Sequence, residues 1–235
     1  MRQVMQPFGT IQRIVPVGID ALMIYFKGEK LDEANAYCQQ WVHALTREKR
    51  GFSWIVECVP AYDSLMLVFD PFTIDSHGVY MALSTLATQD VSLEKQQDIK
   101  VLSVWYGAEG ANDLARVAQT TGLTEDSIVQ MHGETIYKVY AVGFAPGFAY
   151  MADTPPRLHC PRLSTPRKRV PKGAVAIADN QTAVYPSESP GGWHLLGLCP
   201  DLLVDSHNHA SFLAVGDSVK FEPISEQEFR ARNAS

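Results

Sequence analysis

Eight of the chain's fourteen prolines fall between residues 143 and 190. The same block runs into YPSESPGGWHLLG (185–197), where Gly191 and Gly192 directly follow Pro190. Proline fixes φ and removes an N–H, whereas glycine admits φ > 0. Such a segment excludes long helices and specifies the backbone almost residue by residue, as short strands joined by defined turns. The neighbouring β-rich runs fit that reading: TIYKVYAV (135–142), GAVAIA (173–178), QTAVYP (181–186), WHLLGL (193–198) and DSVKFEPI (217–224). Together they predict a barrel or sandwich. Two short helical patterns precede them, ANDLARVAQTTG and TEDSIVQMHG, the second with Thr124 as its N-cap.

The first hundred residues have a different texture. ALMIYFK (21–27) reads as a buried strand, and LDEANAYCQQWVHALTREKR (31–50) repeats apolar residues at helical spacing before Gly51. WIVECV (54–59) and SLMLVFD (64–70) flank Pro60-Ala61-Tyr62-Asp63 as a hairpin. DSHGVYMALSTLATQ (75–89) is helical with Asp75 as N-cap, and IKVLSVWY (99–106) is a further strand. The order β-α-β-β-α-β is the split-βαβ, or ferredoxin-like, α+β arrangement. The change of texture divides the chain near residue 92, into an α+β domain (1–92) and a mostly β domain (93–235).

Composition excludes several classes. Apolar residues make up 46%, charged residues 20%, and the net charge is −6, which suits a soluble globular protein with no electrostatic footprint for nucleic acid. The four cysteines, Cys38, Cys58, Cys160 and Cys199, contain no CxxC, so neither a disulfide framework nor a zinc site is expected. No run of 18 apolar residues predicts a membrane span, and MRQVMQPFGTIQR lacks the features of a signal peptide. The expected location is the cytoplasm.

Three stretches carry candidate chemistry. In GFAPGFAYM (143–151), Gly143 and Gly147 allow tight turns around Pro146, and Phe144, Phe148 and Tyr150 either line a pocket or plug a barrel corner. RLHCPRLSTPRKRVPK (157–172) holds six of the twenty basic residues and no acid. It reads as either a solvated basic loop or, with prolines pre-ordering it, an anion site in which arginine forks grip a carboxylate or phosphate. The stiff 185–197 stretch then holds Glu188 and Trp193 beside that loop. Glu188 either orients an arginine, handles a proton, or satisfies N–H groups of its own turn. SESPG is not a nucleophile elbow, since Pro190 has no N–H to donate, and no P-loop is present. The HNH at 207–209 lacks a third metal ligand and reads as a surface loop; no metal site is evident. His132 reads as a histidine at a helix C-terminus, favoured there by the dipole.

GFAPGFAYM followed by LSTPRKRVPKGAVAIADNQTAVYPSESPGGWHLLG closely resembles the signature of the 5-oxoprolinase B-subunit family, also called allophanate hydrolase subunit 1. That family includes an inhibitor of a sporulation histidine kinase. VWYGAEGANDLARVAQTTGLTEDSIVQMHG and VPAYDSLMLVFDP extend the likeness over nearly the whole chain. The resemblance implies a small α+β domain followed by a cyclophilin-like β-barrel. It also implies partner 5-oxoprolinase subunits, of the C and A types, and ATP-driven conversion of 5-oxoproline, a small anionic substrate, to L-glutamate. The motif carries Gly143, Phe144, Pro146, Gly147, Phe148, Tyr150, Pro166, Arg167, Arg169, Pro171 and Gly173. It carries as well Gln181, Tyr185, Glu188, Ser189, Pro190, Gly191, Gly192 and Trp193. Two departures stand outside it: Gly18-Ile19-Asp20, where the family has a Gly-Asp pair, and Gly107-Ala108, where it has two glycines. Under this reading Arg167 and Arg169 clamp the anion, Gln181, Tyr185 and the aromatics line the site, and Glu188 or His132 handles protons. The same resemblance leaves two alternatives, a module that inhibits a histidine kinase and a part of a urea carboxylase type of carboxyltransferase.

Overall fold

The computed structural model describes residues 5–47, 52–87, 98–205 and 210–233. The chain divides into two compact units, Met1–Gln96 and Gln97–Ser235. The boundary expected at residue 92, the stop at Gly51 and the HNH histidines lie outside the described residues.

The first unit contains β1 (Ile11–Val17), β2 (Ala21–Phe26), α1 (Leu31–Arg47), β3 (Ile55–Ala61), β4 (Ser64–Phe69) and α2 (Ser76–Leu86). Its strands run in the antiparallel order β1-β2-β4-β3. β2-α1-β3 is thus a split βαβ unit with β4 between its strands, the core of the ferredoxin-like α+β layout. Alternate residues of β2 and β4, Leu22, Ile24, Leu65 and Leu67, are fully buried against Trp41 and Leu45 of α1 and Val79 and Leu83 of α2. Asp75 caps α2 as its sequence predicts, its carboxylate accepting from the N–H of Gly78 at 2.7 Å. One strand assignment changes. The strand at 99–106 is not the fourth of this sheet; β1 takes that place. Pro16 hides β1 in the sequence, but proline is tolerated on an edge strand, where one side of the backbone needs no partner.

The second unit contains β5 (Lys100–Tyr106), α3 (Leu114–Thr121), α4 (Glu125–Glu134), β6 (Ile136–Val142), β7 (Ala149–Ala152) and β8 (Arg167–Val170). Then follow β9 (Ala174–Ala178), β10 (Gln181–Val184), β11 (Ser189–Gly191), β12 (His194–Leu198), β13 (Ser218–Pro223) and α5 (Glu226–Asn233). Seven strands run in the order β6-β13-β5-β12-β9-β10-β7, and β7 pairs back onto β6 to close a barrel. β5 pairs in parallel with β13, more than a hundred residues away. Leu102, Val104, Tyr137, Val139, Met151, Val175, Val219 and Phe221 belong to one buried cluster in this unit. The chemistry expected from the sequence sits on a separate two-stranded ribbon, β8 with β11, and on the loop between β6 and β7.

Candidate functional site

The loop Gly143–Phe148 closes on itself: Gly143 N–H donates to Phe148 O and Phe148 N–H donates to Ala145 O, both at 3.0 Å. Gly147 has φ +81°, and a Cβ there would sit 2.9 Å from Leu203 O, so both conformation and space demand glycine. This turn drives Phe148 inward. Its ring meets Phe144 at 5.2 Å, Tyr150 at 4.8 Å, Tyr185 at 5.2 Å and Trp193 at 5.9 Å, all edge-on. Each such pair adds roughly 0.5–1.5 kcal/mol beyond burial. The five aromatics chosen from the sequence therefore do converge. Phe148, Tyr185 and Trp193 are buried, Tyr150 is half-buried, and Phe144 is 65% exposed. Among the described residues Phe144 is also one of three non-glycine residues with positive φ, at 73°. Gly143 and Pro146 shape the exposed side of the loop, where a Cβ on Gly143 would meet nothing.

The ribbon sets the charges. Its register places Ser189 opposite Val170 and Gly191 opposite Arg167. Glu188 then grips Arg169 in a fork: Nε donates to Oε1 at 2.9 Å and Nη2 to Oε2 at 2.8 Å. Both are well exposed, with side-chain accessibilities of 78% for Arg169 and 52% for Glu188. The Arg169 hydrogen bonds hold the Glu188 carboxyl below the usual carboxylate range. That is the reverse of the raised pKa a general acid needs, so of the roles open in the sequence the geometry matches arginine orientation.

Arg167 departs from its expected role. Its Nη2 lies 2.6 Å from each oxygen of Asp113, and its Nη1 donates to Trp193 O at 3.0 Å. Asp113 Oδ2 also accepts the N–H of Leu195 at 2.7 Å. With its fork taken, Arg167 ties β8 to the start of α3 and to β12. Asp113 occupies the N-cap position of α3 yet makes no cap bond; Asn112 Oδ1 accepts the N–H of Leu114 instead. The guanidinium that faces the aromatics is Arg162, 5.8 Å from the Trp193 ring centre and 59% exposed, with a 3.5 Å contact to Asp179. Sequence reasoning counted it in the basic loop without singling it out.

His132 also departs from expectation. It is fully buried, so no substrate reaches it. The Thr182 hydroxyl gives its proton to Ala176 O at 3.1 Å, so it accepts from His132 Nε2–H at 2.8 Å. Nδ1 is left to accept from the Tyr106 hydroxyl at 2.7 Å, and the imidazole stacks on Phe221 at 4.5 Å. Burial depresses the His132 pKa to about 3 and raises that of Tyr106, which keeps both neutral. Gln181 opens β10 opposite Ala178 and Ala152, at the far end of that strand from Tyr185. Pro190 is exposed on β11. Neither Gly191 nor Gly192 has positive φ; Gly191 is required because a Cβ would lie 2.9 Å from Tyr185 Cζ, while a Cβ on Gly192 meets only ordinary contacts at 3.7 Å. Among the described residues no group of three His, Cys, Asp or Glu side chains is placed to hold a metal ion. Nor is any described helix long and apolar enough to cross a membrane.

What results is a buried aromatic cluster that reaches solvent through Phe144 and, in part, Tyr150, with the Arg162 guanidinium over the Trp193 ring. An exposed ring beside a guanidinium suits a flat or anionic group.

The carboxyltransferase domain family, subdomain C and D, matches residues 12–214. The 5-oxoprolinase B-subunit of Bacillus subtilis is 34% identical over 233 residues, covering 93% of this chain and 95% of its own length. The crystal structure of TTHA0988 superposes with a TM-score of 0.78 at 34% identity over 88% of this chain, which spans only 41% of that longer polypeptide. Urea carboxylase of Kluyveromyces lactis shares the fold, with a TM-score of 0.72 at 15% identity over 95% of this chain and 24% of its own.

Two outcomes follow from this geometry. Gly191→Ala is expected to lower stability by about 1–3 kcal/mol through overpacking against Tyr185, and Gly192→Ala to be nearly neutral, read from urea midpoints. Equal midpoints would show that the Tyr185 contact does not constrain the ribbon. His132 binds a proton in the unfolded chain near pH 6.5 but in the fold only near 3. Stability unaffected above pH 6.5 is therefore lost as pH falls below it, at about 1.4 kcal/mol per pH unit. Urea titrations from pH 7 to 5 should show a slope shallower by that amount in His132→Gln, and parallel curves would refute the assignment.

Proposed function

The chain belongs to the 5-oxoprolinase B-subunit family, and from that membership we propose that it serves as this subunit of an ATP-dependent, cytoplasmic 5-oxoprolinase, active only with its A-type and C-type partners. The observation that carries the second half is the incomplete site. Phe144 and Arg162 stand open to solvent, while the candidate proton carriers are a buried histidine and an ion-paired glutamate. The B. subtilis relative is named as a subunit. TTHA0988 carries, beyond the part that matches this chain, more than half of its length in the same polypeptide, in keeping with a partner here.

The reaction would run through activation of the lactam. The amide oxygen of 5-oxoproline attacks the γ-phosphorus of ATP and ADP leaves. Water adds to the carbon bearing the phosphorylated oxygen, the C–N bond breaks with the nitrogen taking a proton to leave an acyl phosphate, and a second water hydrolyses that acyl phosphate to glutamate and phosphate. Substrate and intermediate are anionic throughout. Arg162 would help hold that charge, while the aromatic cluster would exclude water from one side of the ring. The nucleophile-activating group and the ATP site would come from the partner subunits.

The purified chain alone is expected to release no glutamate from 5-oxoproline and ATP, and to do so once both partner subunits are added. Robust turnover by the chain alone would overturn the proposal. A second variant separates recognition from folding. Phe144 in the left-handed region carries roughly 1 kcal/mol of strain that glycine would relieve. Phe144→Gly should therefore keep or raise the melting temperature, yet lower turnover of the assembled complex at least about tenfold, the scale of one recognition contact. Full activity of that variant would remove the exposed ring from the site.

A further inference from the structure

Among the described residues, the first unit exposes five large apolar side chains, Val17, Ile19, Val56, Phe72 and Met81. The first four belong to one end of its sheet. β1 and β2 turn there through Gly18, Ile19 and Asp20, with Val17 opposite Ala21. Phe69 N–H, at the end of β4, donates to Asp20 O, and Asp70 N–H donates to Trp54 O just before β3, both at 2.8 Å. The β1–β2 turn, the turn after β4 and the start of β3 are therefore neighbours. Val56 sits in the bulge where β3 sets Ile55 against Phe69 and Glu57 against Val68. Single exposed apolar residues are ordinary on a surface, but several at one place mark an interaction site.

The turn that carries Phe72 is rigid. Asp70 Oδ1 accepts the Phe72 N–H at 3.0 Å, and Oδ2 accepts the Thr73 hydroxyl at 2.6 Å. Asp70 O accepts the N–H groups of Thr73 and Ile74, both at 3.1 Å. Pro71 fixes one more φ, and the turn runs straight into Asp75, the cap of α2. On this ordered backbone Phe72 is 99% exposed, and Ile19 on the neighbouring turn is 83% exposed. Side chains held out on a backbone already in place lose little freedom when they are buried by a partner.

The charged groups at this end are acids. Asp20 lies in the first turn, Glu57 follows Val56, and Asp70 lies beneath Phe72. Hydrogen bonds from the Thr73 hydroxyl and the Phe72 N–H hold the Asp70 carboxyl below the usual carboxylate range, so it stays ionised. The described cations of the β1–β2 hairpin, Arg13 and Lys27, sit at its opposite end. Arg13 pairs with Tyr25, its guanidinium 4.1 Å from the ring centre, and Lys27 Nζ donates to Gly9 O at 2.7 Å. A second copy docking through the same surface would set these acids against their own copies, which disfavours self-association.

We propose that this end of the first unit's sheet docks a partner protein that offers an apolar socket for Phe72 and Ile19 inside a rim of lysine or arginine. The identity of that partner rests on the proposed function, which supplies an A-type and a C-type subunit; the chemistry of the surface does not.

Titration calorimetry of the intact chain against each purified partner subunit, at low and at physiological salt, tests this. One subunit should bind, and more tightly at low salt. Phe72→Ser and Ile19→Ser should each weaken that binding at least about tenfold, the scale of an interface anchor. Both should leave the melting temperature unchanged, because these side chains are already in solvent. Asp20→Lys should flatten the salt dependence. Binding undiminished in both serine variants overturns the surface, and so does an affinity that salt leaves unchanged. Self-association of the chain that Phe72→Ser abolishes would make the occupant a second copy and overturn it equally. The two ideas fail separately. Partner binding that ignores Phe72→Ser and Ile19→Ser leaves the proposed function standing without this surface. Binding that Phe72→Ser removes, without turnover by the assembled complex, leaves the surface without the proposed function. Binding of neither subunit to the unaltered chain counts against both.

Discussion

The ion pair between Asp113 and Arg167 organises the second unit's functional side. A carboxylate only 10% exposed meets two guanidinium contacts at 2.6 Å and a backbone N–H at 2.7 Å, while the same arginine donates to Trp193 O. Three segments far apart in sequence are fixed by it: the start of α3, strand β8, and the turn into β12. Removing one partner from so enclosed a pair leaves a buried charge uncompensated, at a cost of about 3–5 kcal/mol in comparable cases. The backbone of Trp193 is held by this pair, and the ring of Trp193 in turn packs against Phe148. The aromatic face thus inherits its position from an electrostatic contact behind it.

That contact also changes how the basic segment is to be understood. Six cations within sixteen residues of an acidic chain suggest a strongly positive surface. In the fold, Arg167 turns inward to Asp113, Arg169 is matched by Glu188, and Arg162 shares itself between Asp179 and the Trp193 ring. Lys168 and Lys172 remain exposed. Charge density along a sequence measures neither field nor free donors, because acids from distant segments enter the same space. Asp113 lies fifty-four positions from Arg167, and nothing local links them.

Much of the layout is legible from local rules. α2 and α4 start at the caps their sequences supply, Asp75 and Thr124. The hairpin at 55–69, the barrel strands 136–142, 174–178, 194–198 and 218–223, and the convergence of the aromatics follow from period and turn chemistry. What local rules miss is pairing at long range. Strand 100–106 has the same composition whichever sheet receives it; its parallel partner, Ser218–Pro223, decides, and only the folded chain supplies it. The burial of His132 was visible by another rule. It follows Ile128 by four residues, on the same helical face, and both are fully buried. Position near a helix end argued for a charged histidine, and periodicity, which argues for the core, prevails because Tyr106 and Thr182 satisfy both ring nitrogens.

Within one loop the chain separates what packs its interior from what it exposes to solvent. Gly147 and Phe148 face inward, the first because no Cβ fits and the second as the hub of four ring contacts. Phe144, four residues earlier, faces outward in a backbone conformation that costs free energy and with little burial to offset it. Its edge-on contact with Phe148, at 5.2 Å between ring centres, is what the chain sets against that strain. The buried polar network around His132 lies at the opposite extreme, closed, neutral and beyond reach. Strain at the surface and satisfaction in the interior thus stand within one unit, the first at Phe144 and the second around His132.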